Sequence, residues 1–162
     1  MITVLIPAYR PDKRLIDLVA SLKALEIKNI VAVNDGSGEA YREIFDAVKK
    51  LDVVVLEHKV NLGKGAALKT GFKHLKALGD KCRGVVTADA DGQHTPEDIK
   101  KLYDALKDDR LILGTRDFSS PNVPARSKTG NRISCLAFKI ITGRSCPDTQ
   151  TGLRAIPASL FD

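Results

Sequence analysis

Tryptophan is absent, methionine occurs once, and three tyrosines with five phenylalanines leave the aromatic share at 5% of 162 residues. Those aromatics do not interleave with basic residues, which excludes a base-stacking platform, and no nucleic-acid partner is expected. Cysteine is nearly as scarce: Cys82, Cys135 and Cys146 form an odd set without metal-ligand spacing. Neither a zinc site nor a disulfide framework follows, and reduced thiols are the expected state. No apolar run approaches the roughly 20 residues that span a bilayer, and the chain opens on a strand-like segment rather than a charged, cleavable leader. A cytoplasmic domain is expected. Acidic residues are the minority, 20 Asp and Glu against 26 Lys and Arg, for a net charge of +6. That balance favours phosphorylated ligands or an anionic membrane surface.

What the sequence does contain is alternation. With 43% hydrophobic residues the length suits one domain, here residues 1–162, with a substantial core. Thr3 to Ile6 is a short apolar run ending at Pro7, and residues 13 to 25 carry apolar side chains at a helical period. The unit recurs. Strands are predicted at 30–33, 53–56, 84–88 and 111–113, with helices at 39–51, 65–78 and 95–107 between them. Thr95, Pro96 and Asp98 mark a helix start by cap, first-turn proline and acidic residue. Strands alternating with helices predict a three-layer α/β/α fold around a mostly parallel sheet, whose ligands bind at the carboxyl ends of the strands. Every loop of unusual composition falls at such an end.

The most informative of these loops is Asp89-Ala90-Asp91-Gly92-Gln93. Two carboxylates spaced i, i+2 in extended backbone project to one side and can share a hard cation. Gln93 adds a carbonyl oxygen, and such an all-oxygen set suits Mg²⁺ or Mn²⁺, which complete their shells with water and substrate phosphates. His94 is a weaker fourth ligand, expected instead as a surface or hydrogen-bonding residue. Asn34-Asp35-Gly36-Ser37 is a turn by composition, with Asp35 also able to accept from a base or ribose. Asn61-Leu62-Gly63-Lys64-Gly65 opens a helix whose N-terminus favours phosphate, although the spacing is not that of a Walker loop.

Taken together, Ile6-Pro7-Ala8-Tyr9, Val33-Asn34-Asp35-Gly36-Ser37, Asn61-Leu62-Gly63-Lys64-Gly65-Ala66, Ala88-Asp89-Ala90-Asp91-Gly92-Gln93 and Gly114-Thr115-Arg116 resemble family 2 glycosyltransferases of the GT-A fold. Gly130-Asn131-Arg132, Thr142-Gly143 and Asp148-Thr149-Gln150-Thr151-Gly152-Leu153-Arg154-Ala155 are similar to the branch containing dolichyl- and undecaprenyl-phosphate mannosyl- and glucosyltransferases. The resemblance implies an inverting, metal-dependent transfer of a hexose from a nucleoside-diphosphate sugar to a polyprenyl phosphate. It places Pro7, Tyr9 and Asp35 at the nucleotide, with Lys64 and Ala90 in the same donor site. It places Asp89, Asp91 and Gln93 at the metal and diphosphate, and Arg116 at a phosphate. Arg126 and Arg132 would meet an acceptor phosphate. Relatives often carry Asn-Glu directly after the tyrosine, where this chain has Arg10-Pro11 and then Asp12.

An anionic phosphate acceptor needs no general base, whereas a sugar hydroxyl does, and Asp148 is the available carboxylate for that role or for a turn. The apolar side of a helix at 131–141 is explained either by core packing or by docking on an anionic membrane near a lipid acceptor. That second explanation puts the protein at the inner face of a membrane. The run from Pro157 to Asp162 reads as the opening of a further helix, so the catalytic domain is expected to be truncated at its C-terminus. Transfer to a hydroxyl of a cell-surface polysaccharide and non-catalytic nucleotide-sugar binding are the alternatives. A haloacid dehalogenase phosphatase would carry its Asp-x-Asp after the first strand, and a sugar nucleotidyltransferase a Gly- and Arg-rich loop there, in place of Pro7-Ala8-Tyr9-Arg10.

Overall fold

The computed structural model describes residues 1–115, 134–136, 138–143, 145–146 and 148–161. Its sheet has six strands: β1 (Ile2–Ala8), β2 (Ile30–Asn34), β3 (Val54–Glu57), β4 (Gly84–Thr87), β5 (Ile112–Leu113) and β6 (Arg154–Pro157). Four helices stand between the first five: α1 (Lys13–Ala24), α2 (Arg42–Lys50), α3 (Lys64–Lys76) and α4 (Pro96–Ala105). Each predicted strand and helix up to residue 113 is present with its ends shifted by a few residues, and the 39–51 helix begins as a 3₁₀ turn over Glu39–Tyr41. The strand order is β3-β2-β1-β4-β6-β5.

The side chains of β1 alternate between two apolar layers. Val4, Ile6 and Ala8 face a core built with Leu15, Leu22, Phe45 and Ile99 from α1, α2 and α4. Leu5 points the other way, into a core with Ala67 and Leu75 of α3. Period-two alternation of this kind gives one strand to both layers, which is why the helices divide across the sheet. Asp12 caps α1 by accepting from the Arg14 amide, and Thr95 caps α4 by accepting from the Asp98 amide with Pro96 at the first position.

One element of the C-terminal part was not expected. Arg154–Pro157 is a strand, antiparallel to β4 and β5 and lying between them. Pro157 ends it, and Ala158–Leu160 is a 3₁₀ turn. Residues 134–136 and 138–142 are helical, as expected, but their apolar side chains do not pack in the core. Leu136, Ile140 and Ile141 are 60%, 76% and 83% exposed. Ile133 and Ala137 lie outside the described residues.

Candidate functional site

β1, β2 and β4 run parallel and release their chains at the same edge. A cavity of about 370 Å³ opens there, lined by Pro7, Ala8 and Tyr9 after β1, Asp35 after β2, Lys64 at the start of α3, and Asp89 to Asp91 after β4. Seven residues singled out by motif, Pro7, Tyr9, Asp35, Lys64, Asp89, Ala90 and Asp91, therefore share one cavity. Tyr9 is half exposed, with the Arg10 guanidinium 5.0 Å from its ring centroid. The Arg10 amide donates to Ser37 Oγ at 2.9 Å, tying the first loop to the second.

β4 stops at Thr87, so Asp89 and Asp91 lie in the loop beyond it, and strand pleating does not set their orientation. Asp89 Oδ1 accepts from Lys64 Nζ at 2.5 Å. His94 Nε2 is buried, has no hydrogen-bond partner, and lies 3.7 Å from Asp89 Oδ2, too far for a hydrogen bond. The nearby imidazole and then the Lys64 ammonium outweigh burial and lower the Asp89 carboxyl to about 2. On the opposite side, a Cβ added to Gly152 would collide with the Asp89 carboxylate, and Thr87 Oγ1 donates to the Gly152 carbonyl at 2.7 Å. Gly152 thus leaves the space the carboxylate occupies.

Asp91 is held from two directions. Its carbonyl accepts from Arg14 Nη1 at 2.7 Å, and Arg14 is paired in turn with Asp12 at 2.8 Å. Just beyond the position where relatives often carry Asn-Glu, Asp12 thus caps α1 and orients the arginine that grips the Asp91 turn. Gln93 donates its amide N–H to Asp91 Oδ1 at 3.0 Å and its side-chain nitrogen to Oδ2 at 2.6 Å. Gln93, expected to add a third oxygen to the metal site, here turns its donors toward Asp91 and buttresses that carboxylate.

Among the described residues no group of three or more His, Cys, Asp or Glu side chains is arranged to enclose a metal. Asp89 and Asp91 instead line one open cavity together. Mg²⁺ typically takes one or two carboxylates and completes its octahedron with waters and substrate phosphates. The donor set and the unpartnered His94 nitrogen beside it fit such a shared site.

Asp35 is buried, and its carboxylate accepts from the Leu62 amide at 2.9 Å, the Gly63 amide at 2.8 Å and His58 Nδ1 at 2.7 Å. Burial pushes its carboxyl upward, but the Leu62 amide and His58 together outweigh it and leave the pKa lowered. Sequence reasoning did not single out His58, since Glu57-His58-Lys59 shows only a charged strand end; its partners lie 23 and 12 residues away. Asp148 is fully buried, and its Oδ1 accepts from the Gln150 amide at 3.0 Å. That contact is of the kind a turn residue makes. Arg116, Arg126 and Arg132 lie outside the described residues.

Sequence comparison supplies the deciding observation: the family model for "Glycosyl transferase family 2" matches residues 3–162. The chain belongs to glycosyl transferase family 2. An uncharacterized protein of Methanocaldococcus jannaschii is 35% identical over 95% of this chain and 63% of its own length. UDP-N-acetylglucosamine–dolichyl-phosphate N-acetylglucosaminyltransferase of Methanococcus voltae is 32% identical over 98% of this chain and 70% of its own. Undecaprenyl-phosphate 4-deoxy-4-formamido-L-arabinose transferase of Proteus mirabilis is 28% identical, with 99% and 50% covered. This family 2 chain therefore spans between half and about 70% of the length of these relatives.

Among solved structures, glucosyl-3-phosphoglycerate synthase from Mycobacterium tuberculosis in complex with Mn²⁺, UDP-glucose and phosphoglyceric acid superposes with a TM-score of 0.72 at 18% identity. The match covers 99% of this chain and 57% of that one. It shows that the family 2 chain shares the GT-A α/β fold expected from its motifs.

Proposed function

We propose that this protein is an inverting glycosyltransferase that moves a hexose from a nucleoside-diphosphate sugar to a polyprenyl phosphate, with Mg²⁺ or Mn²⁺. The observation that carries the reading is the convergence of Pro7, Tyr9, Asp35, Lys64, Asp89 and Asp91 on one strand-end cavity in a family 2 chain. The names of two relatives supply the acceptor class.

In this reading the nucleoside lies along Pro7 and Tyr9, and its diphosphate reaches Lys64 and the two aspartates. Asp89 and Asp91 would hold the divalent ion, which supplies charge neutralisation for the departing diphosphate. Lys64, 2.5 Å from Asp89, brings a cation to the same end of the cavity. Gln93 and Arg14 keep the Asp91 turn in place, so the site needs little reorganisation as leaving-group charge develops. An acceptor phosphate oxygen attacks the anomeric carbon from the face opposite the diphosphate. One carbon–oxygen bond forms as the other breaks, and the electron pair leaves with the nucleoside diphosphate. The acceptor is already anionic, so no side chain must remove a proton. The burial of Asp148 is consistent with that. Arg116, Arg126 and Arg132 are assigned to the phosphates by motif resemblance.

No helix among the described residues is long and apolar enough to cross a membrane. The exposed Leu136, Ile140 and Ile141 suit contact with a membrane surface that carries the lipid acceptor at the cytoplasmic face. The test is transfer from UDP-, GDP- and dTDP-hexoses to a short-chain polyprenyl phosphate in detergent, with Mn²⁺, Mg²⁺ or chelator. Metal-dependent formation of a polyprenyl-phosphate sugar from one donor is expected. Transfer only to a saccharide hydroxyl would replace the acceptor, and nucleotide binding without turnover would replace the enzyme.

A further inference from the structure

His58 is the buried polar side chain beside the cavity that the proposed mechanism leaves without a task. Its ring is 9% exposed and bonded at both nitrogens, Nδ1 2.7 Å from Asp35 Oδ1 and Nε2 2.8 Å from Thr70 Oγ1. Asp35 accepts, so Nδ1 carries the proton toward it; a neutral ring then accepts from the Thr70 hydroxyl. His58 in this way connects the end of β3, the loop after β2 and the second turn of α3.

The stretch those contacts surround is held by little else. Lys59, Val60, Asn61 and Leu62 are all exposed, with Val60 and Leu62 at 62% and 59%, so apolar burial does not fix the course of the chain. Two features do. Gly36, at φ +68°, lets the backbone of Val60 and Asn61 approach so closely that a Cβ would collide with it. The amides of Leu62 and Gly63 are then given to the two oxygens of Asp35. The residues on either side of those amides, Asn61 and Lys64, line the cavity.

We propose that His58 is a positioning residue for the donor site: its bridge from Asp35 to Thr70 sets the orientation of the carboxylate that holds the 62–63 backbone and so presents Asn61 and Lys64 to the nucleotide. This rests on reading the cavity as the nucleotide site. A carboxylate with both oxygens committed to amides could still rotate or recruit water once its imidazole donor is gone, and the exposed loop has no packing to resist the change.

Three variants separate this role from simple packing. His58→Ala removes both bonds; His58→Asn keeps an amide nitrogen at the position of Nδ1; Thr70→Val removes only the distal anchor. Hydrogen exchange at the Leu62 and Gly63 amides is read in the protein without nucleotide. Binding is read with UDP, GDP and dTDP in Mn²⁺. Because a hydrogen bond to a charged group is at stake, His58→Ala is expected to speed exchange and weaken nucleotide binding by about tenfold or more. Turnover at saturating donor should stay near wild type, His58→Asn should recover most of both losses, and Thr70→Val should show the same changes at smaller size. Folded His58→Ala or Thr70→Val protein with wild-type exchange and wild-type affinity would overturn the proposal. Should His58→Ala fail to fold, Thr70→Val and the Asn variant decide it by the same readouts. Wild-type protein that binds none of the three nucleotides overturns the donor reading and the positioning role with it. Wild-type binding with unaffected variants overturns only the role of His58.

Discussion

The donor side of the molecule, residues 1–94, holds its chemistry-bearing side chains with buried or charged partners, whereas the described residues from 134 to 142 turn their largest apolar side chains outward. Asp35 has three donors, Asp89 has Lys64, and Asp91 has Gln93 with Arg14 on its carbonyl. Leu136, Ile140 and Ile141 have little but solvent. A site that must stabilise developing charge gains from groups fixed in advance. A surface that meets a lipid gains from apolar area left uncovered. Under the proposed function the two regions follow opposite rules because one meets a charged donor and the other a lipid surface.

Breaking the donor side should have the largest effect. Asp91→Ala removes a carboxylate from the pair and is expected to cost about 10² to 10³ in transfer rate, roughly 3 to 4 kcal/mol. Steady-state turnover checks it, and activity within a few fold of wild type would take Asp91 out of the mechanism. Gly152→Ala comes next. The new methyl must displace the Asp89 carboxylate, so weaker Mn²⁺ affinity in the presence of nucleotide is expected, by about tenfold, with folding retained at a cost of roughly 1–3 kcal/mol. Unchanged metal affinity would show that Asp89 has room elsewhere.

Paired Ile140→Asp and Ile141→Asp substitutions probe the other side. Flotation with anionic vesicles should fall several-fold, since a helix lying in the headgroup region realises only part of the roughly 1.5–3 kcal/mol that full burial of each side chain contributes. The melting temperature should move little, because both residues are exposed. A large drop in melting temperature would mean that this face is covered by protein. The smallest effect is on pH. Asp89 is lowered to about 2, below its ordinary 3.8, so what the Lys64 pair contributes is fully present above the ordinary value and is lost as pH falls through about 2. The carboxyl carbon shift of Asp89 should therefore stay that of an ionised group at pH 3; a midpoint near 4 would show that neither His94 nor Lys64 acts on it.

The parallel β/α frame was legible because each of its segments has a local signature: period-two or unbroken apolar runs for β1 to β4, helical spacing for α1 to α3, and Thr95-Pro96 for α4. β6 was not. Arg154-Ala155-Ile156-Pro157 is four residues long, contains a proline, and becomes a strand only because β4 and β5 flank it. The site divides in the same way. Asp35, Lys64, Asp89 and Asp91 stood out because motif and strand-end position coincide. The roles of His58, Arg14 and Gly152 depend on partners far along the chain, and no local pattern announces a contact between Gly152 and Asp89. Gln93 was noticed for its carbonyl, while its amide nitrogen makes the contact.

The antiparallel setting of β6 has a further consequence. Because it runs against β4, its first residue, Arg154, pairs with Thr87 at the end of the sheet from which the aspartate loop leaves. The segment before it is thereby delivered to Asp89 by the sheet itself. Gly114, just after β5, is joined to Leu153 by a backbone bond of 2.9 Å, and Thr151 Oγ1 donates to the Gly114 carbonyl, so the end of β5 and the entry to β6 are tied together beside that loop. A substitution that loosened β5 from β6 would therefore be felt at Asp89, although neither strand carries a residue of the aspartate loop.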